Sequence, residues 1–411
     1  MPPMPDALAH LTVLELCSTV AGGYAGKCLA DLGADVIKIE PPTGDPVRAL
    51  GPFLDDREGP LTGIPFVFGN TSKRSVVIDV ARPEGAALVR DLARAADLLI
   101  EDGAPGALDA LGLGVDTLRA AHPGLIVVSI TPYGQTGPRR AWRGTDLTTH
   151  AVSGIAMTTP LKVGDSNTVP PLRPGGRHAD YVSGMAGAAL ALVAVHGRRR
   201  SGRGTHVDLS MQETLASFTR MDVAFRTYDP GNVTGMLTGV DSRHGEAQSL
   251  WGLVPCKDGS FAFQASEDYQ WKGFMRALGS PAWAERPEFQ DPYERGRRWN
   301  EIHPLLCEST MRMTKAEIYH TAQAEHVPVF PCYTTAEAYH DEQIESREFF
   351  VTVQRPETGP VEMPGPPVRH ERTPVRYRRP WPAIGEHTDA ILGPRLGPER
   401  LAALRERGVV A

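Results

Sequence analysis

Short apolar runs rich in β-branched residues alternate, over the first two hundred positions, with longer stretches whose apolar residues recur at helical spacing. The runs are LTVLEL (11–16), DVIKIE (35–40), SVVIDV (75–80), DLLIED (97–102) and GLIVVSI (124–130), with Ala- and Leu-rich segments between them. Strands that are apolar at nearly every position are buried on both faces, so the pattern predicts an α/β protein with a parallel sheet covered by helices on both sides. DYVSGMAGAALALVAVHG (180–197) reads as a helix and leads through the basic turn RRRSGRG (198–204) to the strand HVDLS (206–210) and a second helical stretch from Met211 to Tyr228.

Beyond a Gly-, Pro- and Asp-containing break at Asp229–Asp241 the pattern changes. WGLVPCKDGSFAFQA (251–265) predicts two strands around an Asp258-Gly259 turn, followed by helical segments to about residue 325. VPVFPCYTTAEAYHD (327–341) is again strand then helix and reads as a return to the first domain, while the proline-rich stretch Arg355–Pro382 reads as an extended crossing segment. The expected organisation is a large domain begun by residues 1–228, a smaller inserted α+β domain at 229–325, and a segment 326–411 that rejoins the large domain.

Composition narrows the class. With 411 residues, 41% hydrophobic and 22% charged, the chain can bury a sizeable core, and its 42 Gly and 36 Pro imply many turns without a collagen period. A net charge of −6 gives no bulk attraction to nucleic acid or anionic membrane. Cys17, Cys28, Cys256, Cys307 and Cys332 form no CxxC pair, which argues against a zinc ribbon or a disulfide scaffold and for a reducing cytoplasm. No basic n-region and apolar run opens the chain, the apolar stretch Gly184–Val195 is short for a membrane span, and no His/Asp/Glu cluster has metal-ligand spacing. The expectation is a cytoplasmic protein with no metal, no nucleic-acid partner and no membrane partner.

Two segments invite chemistry. In STVAGGYAG (18–26) the glycines at 22, 23 and 26 miss the G-x-G-x-x-G spacing of dinucleotide sites although Glu40 ends the next strand, which leaves close helix–sheet packing or backbone approach to another ligand. Asp180, preceded by Gly175 and Gly176, falls on the first turn of its helix, where free N–H groups and the helix dipole favour the ionised form. A carboxylate held there serves either as a helix cap or as a nucleophile toward an activated acyl carbon. The small residues Gly184, Ala186, Gly187 and Ala188 let something come close, a ligand or another helix. His150 and His178 lie nearby as candidate or merely structural histidines, and the 198–204 turn suits a phosphate or solvent equally.

Taken in order, VLELCSTVAGGYAGKCLADLGADVIKIEPPTGDPVR, GNTSKRSVVIDV, ADLLIEDGAPGALDALGLG, PGLIVVSITPYGQTGP, RSGRGTHVDLSMQETL and GEHTDAIL resemble the class III CoA-transferase family, the CaiB/BaiF type, which includes formyl-CoA transferase and α-methylacyl-CoA racemase. The resemblance implies a Rossmann-like large domain made from both termini, a small inserted domain and an interlocked homodimer. It implies acyl-CoA and carboxylic acid substrates, with coenzyme A as part of the substrate and no tightly bound cofactor. By the same resemblance Asp180 is the nucleophile, passing through an aspartyl anhydride and an aspartyl-CoA thioester. Thr19, Val20 and Ala21 stand in the loop that approaches the pantetheine, Lys73, Arg74, Asp102 and Arg143 at CoA-binding positions, and Thr145 and Asp146 at the acyl site.

The chain departs from formyl-CoA transferase at Val20, Pro41, Asp102 and Ala110, where that enzyme has glutamine, arginine, asparagine and arginine, and GVDSRHGEAQS (239–249) lacks its glycine-rich lid. Those changes argue against formate or oxalate chemistry. Thr145 takes the place of the histidine that pairs with the aspartate in the racemase branch, leaving His150 or His178 as substitutes for two-base epimerisation. The readings to be separated are therefore CoA transfer, epimerisation of an α-methylacyl-CoA, and non-catalytic CoA binding. Arg177, three residues before Asp180, is either a surface residue or a partner for the distal carboxylate of a dicarboxylate.

Overall fold

A computed structural model describes residues 6–158, 170–219, 251–265 and 267–411. The five apolar runs and HVDLS form six strands, β1 (Thr12–Leu16), β2 (Asp35–Glu40), β3 (Arg74–Val77), β4 (Leu98–Glu101), β5 (Ile126–Thr131) and β6 (His206–Ser210). They make one sheet in the order β3-β2-β1-β4-β5-β6, parallel throughout. The helices of this part are α1 (Val20–Asp31), α2 (Ile64–Gly69), α3 (Pro83–Ala93), α4 (Ala107–Ala110), α5 (Val115–Ala121), α6 (Asp146–Val152), α7 (His178–Ser201) and α8 (Met211–Ala216).

Period-2 alternation sends neighbouring residues of each strand to opposite faces. Leu14, Ile37, Val76, Leu99 and Val127 pack on one face against Leu88 and Val89 of α3 and against Ile391, Leu392, Leu401 and Leu404 from the chain's end. Val13, Val36, Leu98, Ile126 and Val128 pack on the other against Ala25 and Leu29 of α1 and Ala188 and Ala191 of α7. The expected parallel sheet covered on both sides is present, with the last helices, Thr388–Leu396 and Pro398–Glu406, completing one cover.

Two charges interrupt the apolar runs and are wholly buried. Glu15 of β1 stands opposite Lys38 of β2, and their side chains pair at 2.9 Å. Lys73 closes on the other oxygen of Glu15 at 2.7 Å, Asp45 closes on Lys38 at 2.5 Å, and Lys38 also donates to the carbonyl of Cys17 at 3.1 Å. Buried charges persist only when paired in this way. The network ties the strand starts and ends around β1 to the loop that follows it.

The chain divides into two compact units. One comprises Met1–Ser153, Pro174–Ser217 and Ser346–Ala411; the other comprises Gly154–Arg173 and Phe218–Glu345. The second unit holds an antiparallel sheet of β7 (Trp251–Cys256), β8 (Gly259–Gln264) and β9 (Val329–Pro331), in that order. Its core includes Phe261, Phe263, Trp271, Phe274 and Phe289. The turn falls one residue earlier than the sequence puts it, at Lys257-Asp258, with Gly259 already paired to Cys256 as the first residue of β8. The return to the large unit at 326 is corrected: β9 adds to the free edge of β8, so this stretch stays with the second unit through Glu345.

Arg355–Pro382 also differs from a plain extended crossing. It opens inside a hairpin of β10 (Phe350–Arg355) and β11 (Gly359–Pro364), turned at Gly359 with φ +77°. From 365 to 382 the segment has neither helix nor strand. The Asp229–Asp241 break and the 239–249 lid region lie outside the described residues. At 24 residues α7 is longer than its apolar stretch suggests and has the length and apolarity of a membrane-crossing helix, but half of that apolar window is buried, with Ala188, Ala191 and Val195 in the core it shares with α1.

Candidate active site

In the sheet order, β1 lies between β2 and β4, so the chain reverses its direction of sheet growth between β1 and β4. The crevice beyond the carboxyl ends of two such strands is where open α/β sheets bind ligands. The loop after β1 (Cys17–Thr19) and Asp102 after β4 meet there. Asp102 is buried and accepts from Ser18 N (2.8 Å), Thr19 N (2.8 Å) and Thr19 Oγ1 (2.6 Å). Burial raises its pKa against the lowering by those donors. Thr19 in turn caps α1 by accepting from Gly22 N at 3.2 Å.

Close packing explains the glycines of the segment. A Cβ on Gly22 would lie 2.6 Å from both Asp102 Oδ2 and Cys17 Sγ, and one on Gly26 would lie 1.9 Å from Glu15 Oε2. The small residues of α7 face α1 in the same way. A Cβ on Gly184 would lie 2.5 Å from the carbonyl oxygen of Ala21, and one on Gly187 would lie 2.7 Å from Ile130 Cδ1. Of the alternatives the sequence leaves open, the close neighbour of α7 is another helix.

Asp180 is the third residue of α7 and is 7% exposed. The N-cap residue, Arg177, makes no side-chain cap; Asp146 does so from α6, its Oδ1 accepting from Ala179 N at 2.7 Å and from Asp180 N at 3.2 Å. Arg177 Nη1 lies 3.4 Å from Asp180 Oδ2. The expectation that the helix terminus favours ionised Asp180 is reversed. Burial and the adjacent Asp146 carboxylate raise its pKa to about 6, Asp102 adds in the same direction, and Arg177 offsets part of the rise. The first-turn donors that would stabilise Asp180 are occupied by Asp146 instead.

Thr145 caps α6 through a capping box with Thr148 and is exposed, whereas Asp146 and His150 are buried. The His150 and His178 rings stand edge to face with centroids 6.4 Å apart. Tyr181, next to Asp180, packs with Tyr24 of α1 and Phe68 of α2. Thr19, Val20, Ala21, Asp102, Asp146 and Asp180 therefore converge, with Val20 and Ala21 themselves packed into the core.

Lys73 and Arg74 do not present free charge to that place. Lys73 is fully buried, its ammonium held by Glu15, by Asn70 at 2.8 Å and by the Gly23 carbonyl at 2.6 Å, which leaves no surface for the nucleotide end of CoA. Arg74 pairs with Asp35. Arg143 is exposed on the loop before α6. Glu40 is committed to Arg48 through two bonds of 2.8 and 2.7 Å, so it is no ribose ligand. Arg198 of the basic turn is anchored to Asp97 at 2.7 Å, about 27 Å along α7 from Asp180 at ~1.5 Å per residue. Among the described residues no group of His, Cys, Asp and Glu is placed to hold a metal.

Sequence reasoning missed the Asp146 cap and the Glu15–Lys38 pair that holds the Cys17 carbonyl. The second left a signal, since acidic and basic residues inside strands buried on both faces must find each other. The first left none, because it joins two helices 33 positions apart.

A family model described as CoA-transferase family III matches residues 8–388. Succinate–glutarate CoA-transferase of Agrobacterium fabrum is 32% identical, covering 98% of this chain and 99% of the relative. Succinyl-CoA–D-citramalate CoA-transferase of Chloroflexus aurantiacus is also 32% identical, covering 100% and 99%. Among solved structures, a CaiB/BaiF family protein from Brucella suis superposes with a TM-score of 0.81 at 27% identity, over 95% of this chain and 100% of that one.

Proposed function

The chain belongs to CoA-transferase family III and is a CoA-transferase, and from that premise we propose that Asp180 carries the acyl transfer as a covalent nucleophile, with succinyl-CoA as donor. The single observation that carries this reading is the buried Asp180 carboxylate on the first turn of α7, beside the crevice between β1 and β4. The succinyl donor is supported by the relatives named for succinyl or succinate transfer.

Asp180 Oδ attacks the thioester carbon, the C–S bond breaks and CoA leaves as thiolate, giving a mixed anhydride. The thiolate attacks Cγ of Asp180 and the donor carboxylate departs, leaving an aspartyl-CoA thioester. An acceptor carboxylate then attacks the same Cγ and expels the thiolate, which takes the new acyl group and restores ionised Asp180. No net proton or electron moves. Each step exchanges a carboxylate for a thiolate, and splitting the transfer this way is covalent catalysis.

In this reading exposed Thr19 lines the path of the pantetheine with Val20 and Ala21 packed behind it, Asp102 fixes that loop by its bonds to Ser18 and Thr19, and Asp146 sets the position of the α7 terminus. Thr145 and Arg143 border the acyl and CoA entrances from the α6 side. CoA enters and leaves as part of the substrate. Cytoplasmic location is supported by five cysteines that are all unpaired.

Replacing Asp180 by Ala removes the carboxyl group on which both covalent intermediates form. CoA exchange between succinyl-CoA and a free acid, followed by mass spectrometry, should fall by about a thousandfold or more, the scale of losing a catalytic nucleophile. Exchange at the wild-type rate in Asp180→Ala would contradict the assignment.

A further inference from the structure

Arg177 is placed where helix stability does not want it. A cation at a helix N-terminus opposes the helix dipole, and its side chain caps nothing: the α7 donors at Ala179 and Asp180 are taken by Asp146. Its contact with Asp180 is a single N–H···O at 3.4 Å, on a guanidinium 36% exposed, and among the described residues its other donors have no side-chain partner. A guanidinium presents a planar fork that fits a carboxylate through two parallel bonds. One such bond is in use, and loosely.

We infer that Arg177 is the receptor for the attacking acid, pairing with Asp180 in the free enzyme and with the acceptor's reacting carboxylate once Asp180 has become its CoA thioester. The inference rests on Asp180 being the nucleophile. Charge conservation supplies the reason. When ionised Asp180 is converted to its CoA thioester, its negative charge leaves with the donor acid, and Arg177 loses its counter-ion within contact distance of the reacting Cγ. The acceptor must bring a carboxylate oxygen to about 3–3.5 Å from that carbon, which is beside the same guanidinium. One carboxylate oxygen is then held while the other attacks. As attack proceeds, the C–S bond breaks, the negative charge passes to the CoA thiolate, and when that thiolate takes the acyl group Asp180 is ionised again and recovers Arg177. Acids should therefore bind the aspartyl-CoA form of the enzyme in preference to the free one.

The test is steady-state kinetics of wild type, Arg177→Gln and Arg177→Lys with succinyl-CoA as donor and either glutarate or butyrate as acceptor. The expected result for Arg177→Gln is a rise of tenfold or more in KM for both acids, a KM for succinyl-CoA within twofold of wild type, and partial recovery in Arg177→Lys. Arg177, Asp146 and Asp102 are the charged groups acting on Asp180, so removing the one cation should also move the acid limb of kcat/KM for succinyl-CoA to higher pH, which a purely structural residue would not do. If Arg177→Gln does not fold, Arg177→Lys carries the comparison. Unchanged acid KM values, or equal rises in the KM of acid and succinyl-CoA, overturn the inference. A defect with glutarate but not butyrate also overturns it, because Arg177 would then hold a distal carboxylate. Wild-type exchange in Asp180→Ala, measured beside these variants, overturns the nucleophile reading beneath the inference, and the inference with it.

Discussion

At the residue scale the chemistry turns on the protonation of Asp180. Its pKa of about 6 in the fold, against about 3.8 for the free side chain, means that the folded protein holds a proton there which the unfolded chain has released. Stability from this group is complete below pH 4 and is lost as pH rises from there through 6, a loss of about 3 kcal/mol at most. Asp180→Asn removes that loss. It should raise the stability measured by urea unfolding at pH 8 by about 1–3 kcal/mol, while the gain shrinks by about half at pH 5, where the wild-type carboxyl is mostly protonated. Equal gains at both pH values would show that Asp180 titrates normally. A more stable and inactive variant is the expected signature of a residue held for chemistry rather than for the fold.

At the element scale the site is built by the contact of α1 with α7. Gly184→Ala should destabilise the protein by about 1–3 kcal/mol, because its Cβ meets the backbone of Ala21 at 2.5 Å and the backbone yields little. Gly197, in the same helix with nothing within 4 Å, should instead gain about 0.5–1 kcal/mol as alanine. Chemical denaturation of the two variants checks the contrast, and equal effects would refute the packing argument. Five of the six strands of the parallel sheet are legible in sequence because burial on both faces leaves continuous apolar runs; β6 at the sheet edge, with Asp208 exposed, is read instead from its place between two helical stretches. The β10–β11 hairpin is not, because Pro360 and Pro364 sit in a two-stranded ribbon where an unpaired edge tolerates proline. The site was partly legible: the position of Asp180 on a first turn follows from local pattern, whereas its raised pKa depends on Asp146, a residue brought in by tertiary structure. Lys73 shows the converse, a cation that the family resemblance places against CoA and whose surroundings commit it to Glu15.

At the scale of the whole molecule, α7 leaves Met185, Leu190 and Val193 exposed at 56%, 42% and 65%. These apolar side chains lie on the face of α7 that is turned away from α1, and we propose that a second copy of the chain covers them in a homodimer. Light scattering coupled to size exclusion should give twice 44.5 kDa, and a monomer at micromolar concentration would contradict it. The central claim, that transfer passes through Asp180, is tested most directly by trapping. The protein is incubated with succinyl-CoA, quenched in hydroxylamine, digested, and the peptide containing Asp180 analysed by mass spectrometry. The account predicts a hydroxamate at Asp180 that requires succinyl-CoA and is absent in Asp180→Asn. An unmodified Asp180 in an enzyme that is turning over, or a hydroxamate on another carboxylate, would contradict it.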